Sequence, residues 1–158
     1  MKPAESSSAL KVQAALGDRF AVLEFDASTR TAADAAAAIG CEVAEIAKSL
    51  IFRGQTSGRA VMIIASGVDR VDEKKAAAAV GEPIARADAD FVREATGFAI
   101  GGVPPIGHKT RPIVLIEERL MRFAEIWAAA GTPNAVFRIA PTDLQRITHA
   151  TVVDLAAT

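Results

Sequence analysis

An α+β fold is what this sequence predicts: a single compact domain in which short helices surround a mixed, largely antiparallel sheet. Three observations lead there. Short apolar runs of strand composition are interspersed with short helical segments that carry their own start and stop residues. Two of these runs, 49–52 and 60–65, flank Gly54-Gln-Thr-Ser-Gly58, whose turn composition joins them as an antiparallel hairpin. The chain has 158 residues, 51% hydrophobic and 23% charged, which suits one core and is too apolar for a disordered chain.

The elements follow in order. Residues 1–8 read as a flexible N-terminal tail and 9–158 as the domain. Leu10, Val12, Ala15 and Leu16 suit a helix over 9–16 that ends at Gly17. A strand is expected over 20–25. Thr31-Ala-Ala-Asp34 has capping-box spacing and starts an alanine helix that Gly40 stops. A helical turn over 42–47 leads to the strand 49–52, with Lys48 at its entrance. Beyond the hairpin, helices are expected over 72–80 and 88–96, each with an acidic start and a glycine, Gly81 or Gly97, just past its end. Residues 97–109 suit no regular structure. Then come a strand over 112–117, a helical turn over 118–123, and strands 126–129 and 135–139 around the turn Gly131-Thr-Pro-Asn134. Pro141 suits the first position of a helix, and a strand over 151–155 closes the chain.

Composition restricts the partners. A formal net charge of −1 does not supply the cationic surface that drives sequence-independent nucleic-acid binding, so any contact with RNA must be local, with Arg53, Arg59, Lys109 and Arg111 as contributors. DNA is not an expected partner. No apolar run approaches the roughly 18 to 20 residues of a membrane helix and the N-terminus is polar, so a soluble, cytoplasmic protein with no membrane partner is expected. The single cysteine, Cys41, excludes an internal disulfide and reads as an inert buried thiol.

The chemistry points to two places. The first is Gly-Phe-Ala-Ile-Gly-Gly-Val-Pro-Pro-Ile-Gly-His over 97–108, where the amides of Gly101 and Gly102 can converge on an anionic or carbonyl oxygen and Pro104 and Pro105 stiffen the loop. The same loop also reads as a structural crossover that buries Phe98 and Ile100. Its likeness to a phosphate-binding loop fails, because His108 displaces the lysine and Pro112-Ile-Val-Leu-Ile predicts a strand where that motif needs a helix. The second place is Lys48, an ammonium at the edge of an apolar strand that can stabilise negative charge developing at an acyl carbon, or else a lysine whose stem merely lies along the strand end. His108 is the better acid–base candidate of the two histidines, though a bond that stiffens the loop serves it equally well; His149 has no apparent partner. No His, Cys and carboxylate cluster has metal-ligand spacing, and no Gly-x-Ser-x-Gly elbow is present, so neither metal nor cofactor is expected.

Taken together, Ala47-Lys48-Ser49-Leu50-Ile51-Phe52 and the run Thr96 to His108 resemble the paired signatures of the YbaK-like aminoacyl-tRNA editing family, which includes Cys-tRNA(Pro) deacylase and the editing domain of bacterial prolyl-tRNA synthetases. The resemblance covers nearly the whole chain. It implies a free-standing deacylase that hydrolyses the ester of a mischarged tRNA without metal. Its pocket would receive the 3′-terminal aminoacyl-adenosine, and prolyl-tRNA synthetase is a candidate partner. Lys48 then corresponds to the family's essential lysine, and Gly101 and Gly102 to its glycine pair; Phe98, Ile100, Pro104, His108, Ala129 and Gly131 complete the expected substrate-binding set. The cysteine-specific branch resembles Ser-Gly-Gly followed by an Asp in the next strand, whereas this chain has Ala129-Ala130-Gly131 and Val136. That departure favours small apolar substrates, alanine or 2-aminobutyrate on tRNA(Pro), over cysteine. The competing reading is a non-catalytic module of the same fold that binds tRNA ends or a synthetase, which a deacylation assay separates.

Overall fold

A computed structural model describes residues 1–158 except 27, 28 and 30. Among the described residues nine strands form one sheet in the order β1-β2-β8-β7-β3-β4-β6-β9, with β5 paired to β3 beside this path. These are β1 (Lys2–Pro3), β2 (Val22–Glu24), β3 (Ile46–Gly54), β4 (Ala60–Ser66), β5 (Ile84–Arg86), β6 (Ile113–Glu117), β7 (Ile126–Ala129), β8 (Ala135–Ile139) and β9 (Thr151–Val153). The helices α1 (Ser7–Leu16), α2 (Ala32–Ile39), α3 (Glu73–Val80), α4 (Ala89–Thr96) and α5 (Pro141–Thr148) are all short. Pairing is parallel for β3–β7, β4–β6 and β6–β9 and antiparallel elsewhere, so the sheet is mixed and mostly antiparallel, as the sequence predicts.

The centre is β4, every residue of which is buried. Its unbroken apolar sequence Ala60-Val-Met-Ile-Ile-Ala65 reflects cover on both faces. Met62 and Ile64 pack on one side with Ile116, Leu120 and Phe137, while Val61 and Ile63 pack on the other with Phe52, Leu115, Leu155 and Ala76 of α3. The helix stops follow the glycines: Gly40, Gly81 and Gly97 each adopt a left-handed conformation at a helix C-terminus. The capping box at Thr31 and Asp34 forms as its spacing implies.

Two local expectations are corrected and one strand is added. Residues 1–8 are not a loose tail: Lys2 and Pro3 pair with Glu24 and Leu23, and the Glu24 carboxylate accepts the amides of Glu5 at 2.6 Å and Ser6 at 2.9 Å. Ser6 then caps α1 through its side chain, a local signal that the polar composition of the segment obscures. The turn expected over 42–47 is confined to a single 3₁₀ turn, Val43–Glu45, because Ile46 and Ala47 pair with Trp127 and Ala128 of β7 and extend β3 backwards. Lys48 therefore lies inside the strand and not at its entrance. Finally, β5 carries no strand signal of its own; three residues long, it exists only through its pairing with β3.

Candidate functional site

The site is opened by a break in strand pairing. On one side β3 pairs with β4 continuously, from Ala47↔Ser66 to Arg53↔Ala60. On the other, β7 stops at Ala47 and β5 starts only at Phe52. Backbone direction alternates along an antiparallel strand, and two bonds fix the phase here: Gly67 N–H donates to the Ile46 carbonyl at 2.8 Å and Gly54 N–H to the Arg59 carbonyl at 2.9 Å. Even-numbered residues of β3 thus turn their backbone groups to β4, and odd-numbered residues turn theirs to the broken edge. Ala47 meets β7 there, the Ile51 carbonyl accepts from Ala87 N–H at 3.4 Å, and Arg53 meets β5. Among the described residues no strand stands beside Ser49, whose N–H and C=O face the gap.

Two cavities meet along this bare edge, sharing Lys48, Ser49, Leu50, Ile100, Gly101 and Val103 as walls. The larger, about 440 Å³, is lined by the charged residues Arg70, Glu73 and Arg86. The smaller, about 330 Å³, is walled by small or apolar groups that include Ala32, Ala35, Ala128, Ala129, Ala135 and Val136. Pleating turns Lys48 to the face that carries α3, where its Nζ donates to the Asp69 carbonyl at 2.6 Å. Burial pushes the Lys48 ammonium below its ordinary pKa, and the nearby Asp69 charge acts the other way. The Ser49 hydroxyl is buried without a hydrogen-bond partner among the described residues. Threonine hydroxyls on the smaller lobe are already engaged, Thr29 with the Pro133 carbonyl, Thr31 with the Asp34 amide and Thr132 with the Asn134 side chain.

The glycine loop divides in two. Ile100 and Gly101 reach both lobes; Ile100 is 60% exposed, unusual for so large an apolar side chain. Gly101 adopts φ +100°, a region that glycine occupies without penalty. The convergent amide pair expected from the sequence does not form, because Gly102 N–H donates to the Ala99 carbonyl at 3.2 Å. Gly102 instead packs against the next loop: its carbonyl accepts from Gly131 N–H at 2.8 Å, and a Cβ added to it would stand 2.7 Å from Thr132 Cα. Gly131 thus holds the loop and does not line the cleft, whereas Ala129 does.

Phe98, Pro104 and His108 lie outside both lobes. Phe98 is buried in the core against the His108 ring, with centroids 6.3 Å apart. His108 Nε2 lies 2.6 Å from the Pro104 carbonyl, so it carries the proton and donates, leaving Nδ1 buried with no partner among the described residues. This is the loop-stiffening role. Burial pushes the His108 pKa below 6.5, with the Pro104 bond opposing only in part. The folded protein therefore takes up this proton less readily than the unfolded chain, and the stability it contributes is complete above pH 6.5 and is lost progressively as pH falls below that value through the lower pKa of the folded state. Replacing His108 by glutamine, which retains a donor, is expected to flatten the decline of melting temperature between pH 7 and pH 5. An undiminished slope would place the titration elsewhere.

Sequence reasoning placed the basic contacts on other residues. Arg53 lies over the Phe91 ring at 4.9 Å, and with Arg59 it lines a separate cavity shared with Asp88, Asp90 and Glu94. Lys109 and Arg111 are exposed and lie outside the two lobes. Arg70 and Arg86 occupy the cleft instead, and no spacing rule connects them to Lys48. Cys41 is partly exposed, its thiol pushed up by burial and by Glu45, which does not activate it. Among the described residues no group of three or more His, Cys, Asp or Glu could hold a metal ion, and no helix is long and apolar enough to cross a membrane.

Comparison with known proteins adds to this geometry. Residues 26–147 match the family model described as the aminoacyl-tRNA editing domain. YwhH of Bacillus subtilis (strain 168) is 34% identical over 131 residues, 83% of each chain. EbsC of Enterococcus faecalis, named as a candidate Cys-tRNA(Pro)/Cys-tRNA(Cys) deacylase, is 28% identical over 75% of this chain and 73% of its own. Among solved structures, one described as a candidate trans-editing enzyme for prolyl tRNA synthetase is 47% identical and superposes with a TM-score of 0.92, covering 98% of this chain and 100% of that one.

Proposed function

Because the chain belongs to the aminoacyl-tRNA editing domain family, we propose that it is a free-standing deacylase that hydrolyses tRNA(Pro) mischarged with a small apolar amino acid, alanine or 2-aminobutyrate. The observation that carries this reading is the cleft at the broken edge of β3, where a half-buried lysine lines both a charged lobe and one walled by alanines and valine. The aminoacyl side chain fits the smaller lobe, and the ribose and phosphate of the terminal nucleotide fit the lobe with Arg70 and Arg86. Water, assisted by the terminal ribose hydroxyl, attacks the ester carbon. The carbonyl oxygen gains negative charge, which the Lys48 ammonium and the Gly101 amide stabilise, and the C–O bond to the ribose breaks as that oxygen takes a proton. Free amino acid and intact tRNA are the products.

Alanine walls also support the choice among substrates. The walls Ala128, Ala129 and Val136 carry no polar side chain and the threonine hydroxyls of the lobe are engaged elsewhere, which leaves the Ser49 hydroxyl as the unengaged one among the described residues, so the pocket sorts by size more than by polarity. Single-turnover deacylation of tRNA(Pro) charged in turn with alanine, 2-aminobutyrate, serine, cysteine and proline is the test, run in the presence of a chelator. Alanine or 2-aminobutyrate is expected to be released fastest, with proline spared. Hydrolysis of cysteine alone would assign the chain to the other branch, and no hydrolysis of any charged tRNA would make it a binding module. Prolyl-tRNA synthetase is the proposed partner that supplies the mischarged substrate.

A further inference from the structure

We propose that Asp69, tied by Arg119, is a positioning residue for Lys48: its backbone carbonyl aims the ammonium and its carboxylate keeps that ammonium charged. The inference rests on the proposed role of Lys48 in ester hydrolysis. Asp69 sits in the turn after β4, its amide donating to the Ser66 carbonyl at 3.0 Å while its own carbonyl accepts the Lys48 Nζ at 2.6 Å. Its side chain is only 11% exposed. One carboxylate oxygen meets Arg119 at 3.3 Å; the other is buried and has no hydrogen-bond partner among the described residues. Arg119 is held in turn by Glu117, a fully buried acid at the end of β6 that accepts the Arg119 amide at 3.3 and 3.4 Å and lies 4.0 Å from its guanidinium.

A purely structural ion pair leaves the second oxygen unexplained, since an unsatisfied buried carboxylate oxygen is costly. Its value lies in the field it casts. Lys48 loses hydration by burial, and the charged groups that share its lobe do not restore the balance. Arg70 is a like charge, while Glu73 is offset by Arg86 at 3.8 Å. A half-paired carboxylate near the lysine opposes the effect of burial, in line with the direction in which Asp69 moves the Lys48 pKa. Arg119 fixes the turn, so that carbonyl and charge act at a set place.

Two variants test this. Asp69→Asn keeps the backbone carbonyl and the shape but removes the charge, and Arg119→Gln keeps the charge but releases the turn. The first readout is the titration of Lys48, followed by carbon-13 NMR of labelled lysine and assigned with Lys48→Ala; it needs no tRNA. In Asp69→Asn, Lys48 is expected to titrate lower than in the parent, because the charge that opposes burial is gone. In Arg119→Gln it should titrate higher, because a competing cation is gone. The second readout is single-turnover deacylation, expected to fall about tenfold in both variants, with the Asp69→Asn deficit growing as pH rises. Unchanged Lys48 titration in folded Asp69→Asn overturns the proposal. Should that variant fail to fold, Arg119→Gln with unaltered titration and rate overturns it equally. Shifted titration in a protein that hydrolyses no charged tRNA would support the positioning pair and sink the functional reading, so the two failures are distinct.

Discussion

Lys48→Ala is expected to slow deacylation of mischarged tRNA by about 10² to 10³, the effect of removing one preorganised charge from an acyl-transfer site, or roughly 3 to 4 kcal/mol. Nothing else in the cleft duplicates it. Arg70 and Arg86 line the larger lobe alone, whereas Lys48 lines both, and Ser49 carries no charge. The fold should survive, because Lys48 is half-buried and its one hydrogen bond, to the Asp69 carbonyl, ends in a turn that Arg119 also holds. When the ammonium is removed the Asp69 carboxylate keeps its pairing with Arg119. Lys48→Arg separates geometry from charge: a planar guanidinium cannot occupy the 2.6 Å position beside the Asp69 carbonyl as a compact ammonium does, so recovery should be slight. The measurement is single-turnover hydrolysis with circular dichroism as the control for folding. Folded Lys48→Ala within a few-fold of the parent would remove the lysine from the mechanism.

The second large effect separates the adjacent glycines. Gly101→Val is expected to abolish hydrolysis with a modest loss of stability. At φ +100° a branched residue is strained, by about 1 to 3 kcal/mol, which a domain of ordinary stability tolerates. Among the described residues a Cβ there meets nothing closer than Pro133 Cγ at 3.9 Å, and Gly101 lines both lobes, so the added side chain takes up space at the cleft. Gly102→Ala behaves in the opposite way. Its Cβ would fall 2.7 to 2.9 Å from backbone atoms of Thr132 and Gly131, which cannot swing aside as a side chain can, and about 1 to 3 kcal/mol of stability is lost through overpacking. Thermal melts and deacylation rates of both variants provide the comparison. If Gly101→Val keeps its activity, the loop is a crossover only.

The elements that announced themselves in sequence are those whose cause is local. Gly81 and Gly97 end helices because they permit a left-handed turn, and the Gly54–Gly58 turn joins two apolar runs whatever surrounds it. Elements made by pairing across the chain did not announce themselves: β1 depends on Glu24, β5 on the end of β3, and the backward extension of β3 on β7. The site divides in the same way. Lys48 and Gly101 stand out as an ammonium in an apolar strand and as one of a glycine pair. Ser49, Asp69 and Arg70 are unremarkable in composition and gain their place from where β7 stops and how the turn after β4 folds back. For His108 the sequence leaves acid–base and loop-stiffening readings level, and burial with the bond to the Pro104 carbonyl, neither of which sequence shows, favours the second.

The gap beside Ser49 has an evolutionary consequence. A substrate that settles against a main-chain N–H and C=O is held by atoms that no substitution can delete, since every residue except proline supplies both. The walls around that gap, Ala128, Ala129, Ala135 and Val136, are side chains and free to vary. Anchoring and selectivity are then inherited separately. Descendants of one ancestral strand can exchange alanine walls for hydroxyls or acids, and so change the shape and polarity of the smaller lobe, without rebuilding the backbone that borders the gap.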